Sequence, residues 1–265
     1  MALSPLLEGY ENVVLDLDGC VWVGEETTRG APEAVAELRS AGKGLAFLTN
    51  NSRHSPEDYV RKLWSLGLRA SLEEVVTVGS AMQHILAERE RSDTFVIGSE
   101  ALFRHVSDAG QRIVNGTPRA RSAELVIVAG HDGFNYTELR DATHAVLGGA
   151  EMIAADRDRT FPEQDGLWPG SGAIVAALEY ATEQTARIVG KPESQLFLTA
   201  LDRLDGGRTL VVGDRVDVDL VGAAAAGLDA AIVLTGVCTE SQAREATDPA
   251  PVAIAEDLLL LVVGS

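Results

Sequence analysis

Lysine is scarce in this chain, cysteine scarcer still, and no long apolar run interrupts its 265 residues. The lysines are Lys43, Lys62 and Lys191, and 22 basic against 40 acidic residues leave a formal net charge of −18. Such a surface repels phosphodiester backbones and anionic lipid, which argues against nucleic acid and membrane as partners. Cys20 and Cys238 are too few and too far apart for a disulfide framework or a cysteine zinc site. The five histidines show no metal-ligand spacing. Apolar runs such as Leu258 to Val263 fall far short of the roughly 20 residues a membrane helix needs. Residues Met1 to Asn12 are acidic and lack a basic flank with an apolar run, so no secretory signal is read and a cytoplasmic setting is expected.

What is present is a regular alternation. Short apolar runs begin with Val13-Val14-Leu15 and continue through Leu45 to Leu48, Phe95 to Ile97 and Leu125 to Val128. Met152 to Ala154, Thr209 to Val212 and Ala231 to Leu234 complete the series. Helical patterns separate most of them, such as Pro32 to Ala41 and the stretch opened by Ser55-Pro56-Glu57-Asp58. Near-continuous apolar strands with helices between them predict an α/β fold with a doubly wound, Rossmann-like parallel-sheet core. Val78-Gly79-Ser80 and Val189-Gly190-Lys191-Pro192 read as passages between units. They delimit an inserted, smaller α/β domain at residues 81–189 inside a core made of 1–80 and 190–265.

The strongest chemical signal is Asp16-Leu17-Asp18-Gly19, directly after the first apolar strand. Alternate strand residues point the same way, so both carboxylates can reach one pocket at the carboxyl end, where open parallel sheets bind ligands. Gly19 lets the chain turn away without crowding that pocket. A second acidic pair, Asp214 at a strand end and Asp219 one helical turn later, adds charge. So many oxygen donors suit a hard cation such as Mg²⁺, which takes one or two carboxylates and leaves room for a substrate phosphate. A calcium loop is excluded because the twelfth position from Asp16 is Thr27 rather than a bidentate Glu. Thr49-Asn50-Asn51 ends another strand and offers hydroxyl, amide and backbone N–H groups to an anion. Lys191 stands before Pro192, expected as the first residue of a helix, and can hold its ammonium against phosphate and carboxylate.

Asp16-Leu17-Asp18-Gly19, Thr49-Asn50-Asn51, Gly190-Lys191-Pro192 and Gly213-Asp214-Arg215 through Asp219 resemble the four motifs of the haloacid dehalogenase (HAD) superfamily. The long stretch between the second and third motifs is similar to the large α/β cap of its NagD-like, p-nitrophenyl-phosphatase branch. Phe161-Pro162 through Pro169-Gly170-Ser171-Gly172 carries part of that similarity. The resemblance implies a Mg²⁺-dependent phosphatase acting on small phosphorylated metabolites. Asp16 would attack phosphorus and become an aspartyl-phosphate. Asp18 would protonate the leaving oxygen and then activate water. Asp16, the backbone carbonyl of Asp18, and Asp214 would hold the metal, while Asp219 orders a metal-bound water or the lysine. Thr49, Asn50 and Lys191 would grip the phosphoryl oxygens, with Asn51 beside them. Relatives of this kind also suggest a homodimer through the cap.

Two positions depart from the pattern. Cys20 stands where that branch more often has Thr or Val, and reads as a small buried residue. Asp156 stands where relatives commonly carry Asn; facing substrate, it would disfavour polyanions unless Arg157 or Arg159 offset it. Gly170-Ser171-Gly172 is set aside as a serine-hydrolase elbow because the fuller Gly-x-Ser-x-Gly is absent; a helix start at Ser171 is expected instead. Within the superfamily, a dehalogenase or phosphonatase is disfavoured by Asp18, whereas a phosphomutase stays open. From another class, a non-enzymatic, Asp-phosphorylated, Mg²⁺-binding signalling module is the competing reading. Receivers of that type are about half this length and carry the acceptor on a later strand.

Overall fold

Apolar residues at consecutive positions are satisfied only by a strand covered on both faces, and the computed structural model shows such strands at the centre of two sheets. It describes residues 2–163 and 166–264. Gln164 and Asp165, inside the segment that carries part of the resemblance, lie outside the described residues. The chain falls into two units, one of residues 1–49, 56–76 and 191–265, the other of residues 50–55 and 77–190.

The first unit is built on a six-stranded sheet. Its spatial order is Ala253–Ala255, Asp229–Val233, Thr209–Gly213, Asn12–Asp16, Gly44–Thr49 and Val75–Thr77. Asn12–Asp16 is central and wholly buried, paired in parallel with Thr209–Gly213 on one side and Gly44–Thr49 on the other. Val13, Leu15, Leu45, Phe47, Leu210 and Val212 join one core with Ala34, Val35 and Leu38 of helix Ala31–Ser40. Leu258, Leu261 and Val262 of helix Leu258–Val263 belong to the same core. The alternate positions Val14, Ala46 and Val211 turn to the opposite face and are buried as well. Each fully buried Leu or Phe contributes on the order of 2 kcal/mol. The chain leaves the central strand toward Gly44–Thr49 and returns on its other flank with Thr209–Gly213. That reversal opens a crevice at the carboxyl ends of these strands, where Asp16 and Gly213 stand.

The second unit repeats the architecture with five parallel strands. Their order is Arg187–Ile188, Glu151–Ala154, Leu125–Val128, Asp93–Ile97 and Arg112–Ile113. Phe95, Ile97, Val126, Val128 and Met152 pack with Val146 of helix Tyr136–Leu147 and with Val175 and Leu178 of helix Ser171–Thr182. An antiparallel hairpin, Thr160–Glu163 with Gly166–Pro169, stands apart from that sheet. Among the described residues, no helix is long and apolar enough to cross a membrane.

Two local expectations are corrected. Val78-Gly79-Ser80 is not the passage itself, which falls between Val76 and Thr77, but the buried first turn of helix Val78–Ala87 that follows it. Thr77 Oγ1 accepts from the Ser80 amide at 3.1 Å while Ser80 Oγ accepts from the Thr77 amide at 2.9 Å, a reciprocal cap. Gly79 is required there because a Cβ would come within 2.6 Å of the His105 ring. Pro192 does not open a helix either. It follows a cis peptide and sits in a turn, and the helix begins at Gln195.

Candidate active site

Asp16 is the last residue of the central strand, so its side chain emerges where backbone pairing ends. It is buried, and the Lys191 ammonium donates to its Oδ1. The same ammonium donates to Asp219 Oδ1 at 2.7 Å. Asp219 lies in the short helical turn Val216–Leu220, and its Oδ2 accepts from the amides of Asp214 at 3.2 Å and Arg215 at 3.0 Å. One carboxylate thus fastens the lysine and caps the loop that carries Asp214. Burial alone would lower the Lys191 pKa, but Asp16 and Asp219 outweigh it and hold the group above its ordinary range, so the ammonium stays charged.

Asp214 follows strand Thr209–Gly213 and is almost fully buried. Its Oδ2 accepts from the Val237 amide at 2.7 Å. Glycine makes room for these acids at three positions. A Cβ on Gly19, where φ is +91°, or on Gly236 would run into the Asp214 carboxylate, and one on Gly213 into that of Asp219. Carboxylate oxygens of Asp16, Asp214 and Asp219 lie within 4.8 Å of one another. Among the described residues, three buried carboxylates share one buried ammonium, so their negative charge is only partly compensated. Burial accordingly pushes the Asp16 carboxyl well up against the pull of Lys191, and pushes Asp214 up to about 6 against its bond from the Val237 amide. All-oxygen donors with excess negative charge fit a hard divalent cation, whose own charge would reverse that push.

Asp18 stands beyond the strand end and is exposed. Its Oδ1 accepts from the Trp22 indole N–H at 2.8 Å, and its Oδ2 lies 3.5 Å from the Thr49 hydroxyl. Thr49 itself is buried. Trp22 returns to this place because Gly19 reverses the chain: the Trp22 amide donates to the Leu17 carbonyl, and the Gly19 amide donates to the Trp22 carbonyl. Trp22 lies outside the four sequence motifs. The available signal was an aromatic N–H donor four residues after a carboxylate, with a glycine between them.

Asn50 and Asn51 continue the chain from Thr49 but belong to the second unit. Asn51 Oδ1 accepts from the Arg53 amide at 2.9 Å, and a Cβ on Gly190 would come within 2.7 Å of Asn50 Oδ1. Cys20 is buried in the core of the first unit. Asp156 is also buried. Its Oδ1 accepts from the Asp158 amide and its Oδ2 from the Ser171 hydroxyl, each at 2.9 Å. Arg157 donates two hydrogen bonds to Glu179.

A family model described as haloacid dehalogenase-like hydrolase matches residues 13–112, and a second, described as HAD-hydrolase-like, matches residues 188–261. The D-glycerol 3-phosphate phosphatase of Mycobacterium tuberculosis is 36% identical over 240 residues, covering 89% of this chain and 66% of that one. The acid sugar phosphatase of Staphylococcus haemolyticus is 30% identical over 243 residues, 90% of each. Among solved structures, a glycerol phosphate phosphatase of M. tuberculosis in complex with magnesium superposes with a TM-score of 0.89 at 33% identity. That match covers 98% of this chain and 79% of that one.

Proposed function

The chain belongs to the haloacid dehalogenase-like hydrolases and is a phosphatase of that family, and we propose that it hydrolyses phosphate monoesters of small metabolites, with Mg²⁺ bound, through an aspartyl-phosphate on Asp16. One observation carries this reading. A single ammonium, Lys191, bridges Asp16 and Asp219, and Asp214 completes a carboxylate group whose oxygens lie within 4.8 Å of one another. Asp16, the Asp18 carbonyl and Asp214 are the groups to hold the cation. When bound, Mg²⁺ neutralises charge on the transferring phosphoryl group.

The remaining steps belong to the chain. Asp16 sits at the open end of its strand and presents a carboxylate oxygen to phosphorus. Lys191 holds that carboxylate in place and lends positive charge to the phosphoryl oxygens, assisted by Thr49. Asp18, exposed and able to exchange protons with solvent, gives its proton to the leaving oxygen and then takes one from the water that releases phosphate. The inserted unit is, on this reading, the cap that selects among substrates. Replacing Asp16 with Asn is expected to abolish Mg²⁺-dependent phosphate release from p-nitrophenyl phosphate while leaving the thermal melt within a few degrees. Retained turnover in a folded D16N protein refutes the mechanism.

A further inference from the structure

We propose that Trp22 is a positioning residue for the proton transfer assigned to Asp18, holding Oδ1 by its indole N–H so that Oδ2 is the oxygen that passes the proton. This rests on the reading of Asp18 as the acid and base of the reaction. The need for such a holder follows from exposure. Asp18 lies outside the strand and faces solvent, its Oδ2 reached by a long 3.5 Å bond from the Thr49 hydroxyl, so a short side chain there samples several rotamers of which proton transfer rewards only one.

Trp22 is built to be immobile. Its side chain is 1% exposed, and its ring stacks on Tyr59 with centroids 6.2 Å apart and planes within 3°. Tyr59 is itself buried on helix Pro56–Ser65. Lys62, three residues along the same helix, places its ammonium 4.8 Å from the centroid of the indole ring. That ammonium also donates to the Gly24 carbonyl at 2.7 Å, which ties down the turn of the small hairpin Trp22–Val23 with Glu26–Thr27. A cation over the ring polarises the indole N–H toward its acceptor. The 2.8 Å bond to Asp18 Oδ1 is therefore made by a fixed, strengthened donor. In the reaction, an Asp16 oxygen bonds to phosphorus and the bond from phosphorus to the leaving alcohol oxygen breaks. The electron pair stays on that oxygen, and the proton on Asp18 Oδ2 moves to it. Trp22 keeps its own proton throughout.

The test compares leaving groups. An alkoxide needs the proton as it departs, whereas p-nitrophenolate does not. In W22F, kcat/KM for glycerol 3-phosphate is expected to fall about 30-fold, and for p-nitrophenyl phosphate less than about threefold. The ratio of the two reads the same folded fraction, so partial loss of stability does not blur it. In a D18N background, W22F is expected to add less than about twofold to the loss on glycerol 3-phosphate, since its partner is already gone. Equal falls for both substrates, no fall, or a full additive effect on D18N overturns the assignment. If D18N alone turns over glycerol 3-phosphate like the parent protein, the role given to Asp18 fails instead, whatever W22F does.

Discussion

Asp156→Asn isolates one buried carboxyl from all the others. Burial, followed by the like charge of Asp158, pushes Asp156 from its ordinary 3.8 up to about 6, against hydrogen bonds from the Asp158 amide and Ser171. The folded protein therefore keeps this proton at pH values where the unfolded chain has lost it. Stability falls as pH rises from about 4 to about 6 and is level above that. The whole displacement corresponds to about 3 kcal/mol, of which about 1.4 kcal/mol falls between pH 5 and pH 8. Asparagine keeps an oxygen for the Asp158 amide and turns an N–H toward Ser171 Oγ, which already accepts from the Gly130 amide at 3.0 Å. It removes the charge and reverses the bond with Ser171, a change that does not vary with pH. Thermal melts of both proteins at pH 5 and pH 8 in the same Mg²⁺ concentration supply the measurement, because the other carboxylates respond alike and cancel in the difference. At about 2–4 °C per kcal/mol, D156N is expected to gain about 3–6 °C on the parent between the two pH values. A difference that is level with pH, or that moves against D156N at pH 8, refutes the account of Asp156 as a strained internal acid.

Lys191→Met removes the ammonium that bridges Asp16 and Asp219. Breaking a buried pair of this kind costs about 3–5 kcal/mol, so the melt in EDTA should drop by about 6–20 °C and turnover should vanish. A K191M protein that melts and turns over like its parent contradicts the bridging role of the ammonium. Gly236→Ala puts a methyl group against the Asp214 carboxylate from an exposed loop. Half-maximal activity should then need about 10–100 times more Mg²⁺, with the EDTA melt nearly unchanged; an unaltered Mg²⁺ titration argues against Asp214 as a ligand.

Much of the parallel framework is legible because its strands carry apolar residues on both faces, a pattern that few other structures tolerate. Val13 to Leu15, Leu45 to Leu48 and Thr209 to Val212 lie inside the observed central strands for that reason. The acids at their ends come together in space with Lys191 because strand ends in a parallel sheet share one edge. What escaped the sequence depends on contacts rather than pattern. Val78-Gly79-Ser80 looks like a linker until the Thr77 and Ser80 side chains are seen to cap each other and Gly79 to meet His105. Two-residue strands such as Arg112–Ile113 and Arg187–Ile188 are too short to show any period. Trp22 is one apolar residue among several until the turn at Gly19 brings its N–H to Asp18. Asp156 looks like a charge offered to a ligand, and only the fold reveals its two internal donors.

The bridging ammonium has a consequence for how the molecule is made. Asp16 and Asp18 are synthesised before Lys191, with more than a hundred residues between them. Lys191 is then synthesised ahead of Asp214 and Asp219. The counter-ion is therefore on hand before Asp214 and Asp219, the two later acids whose charge bears on Asp16.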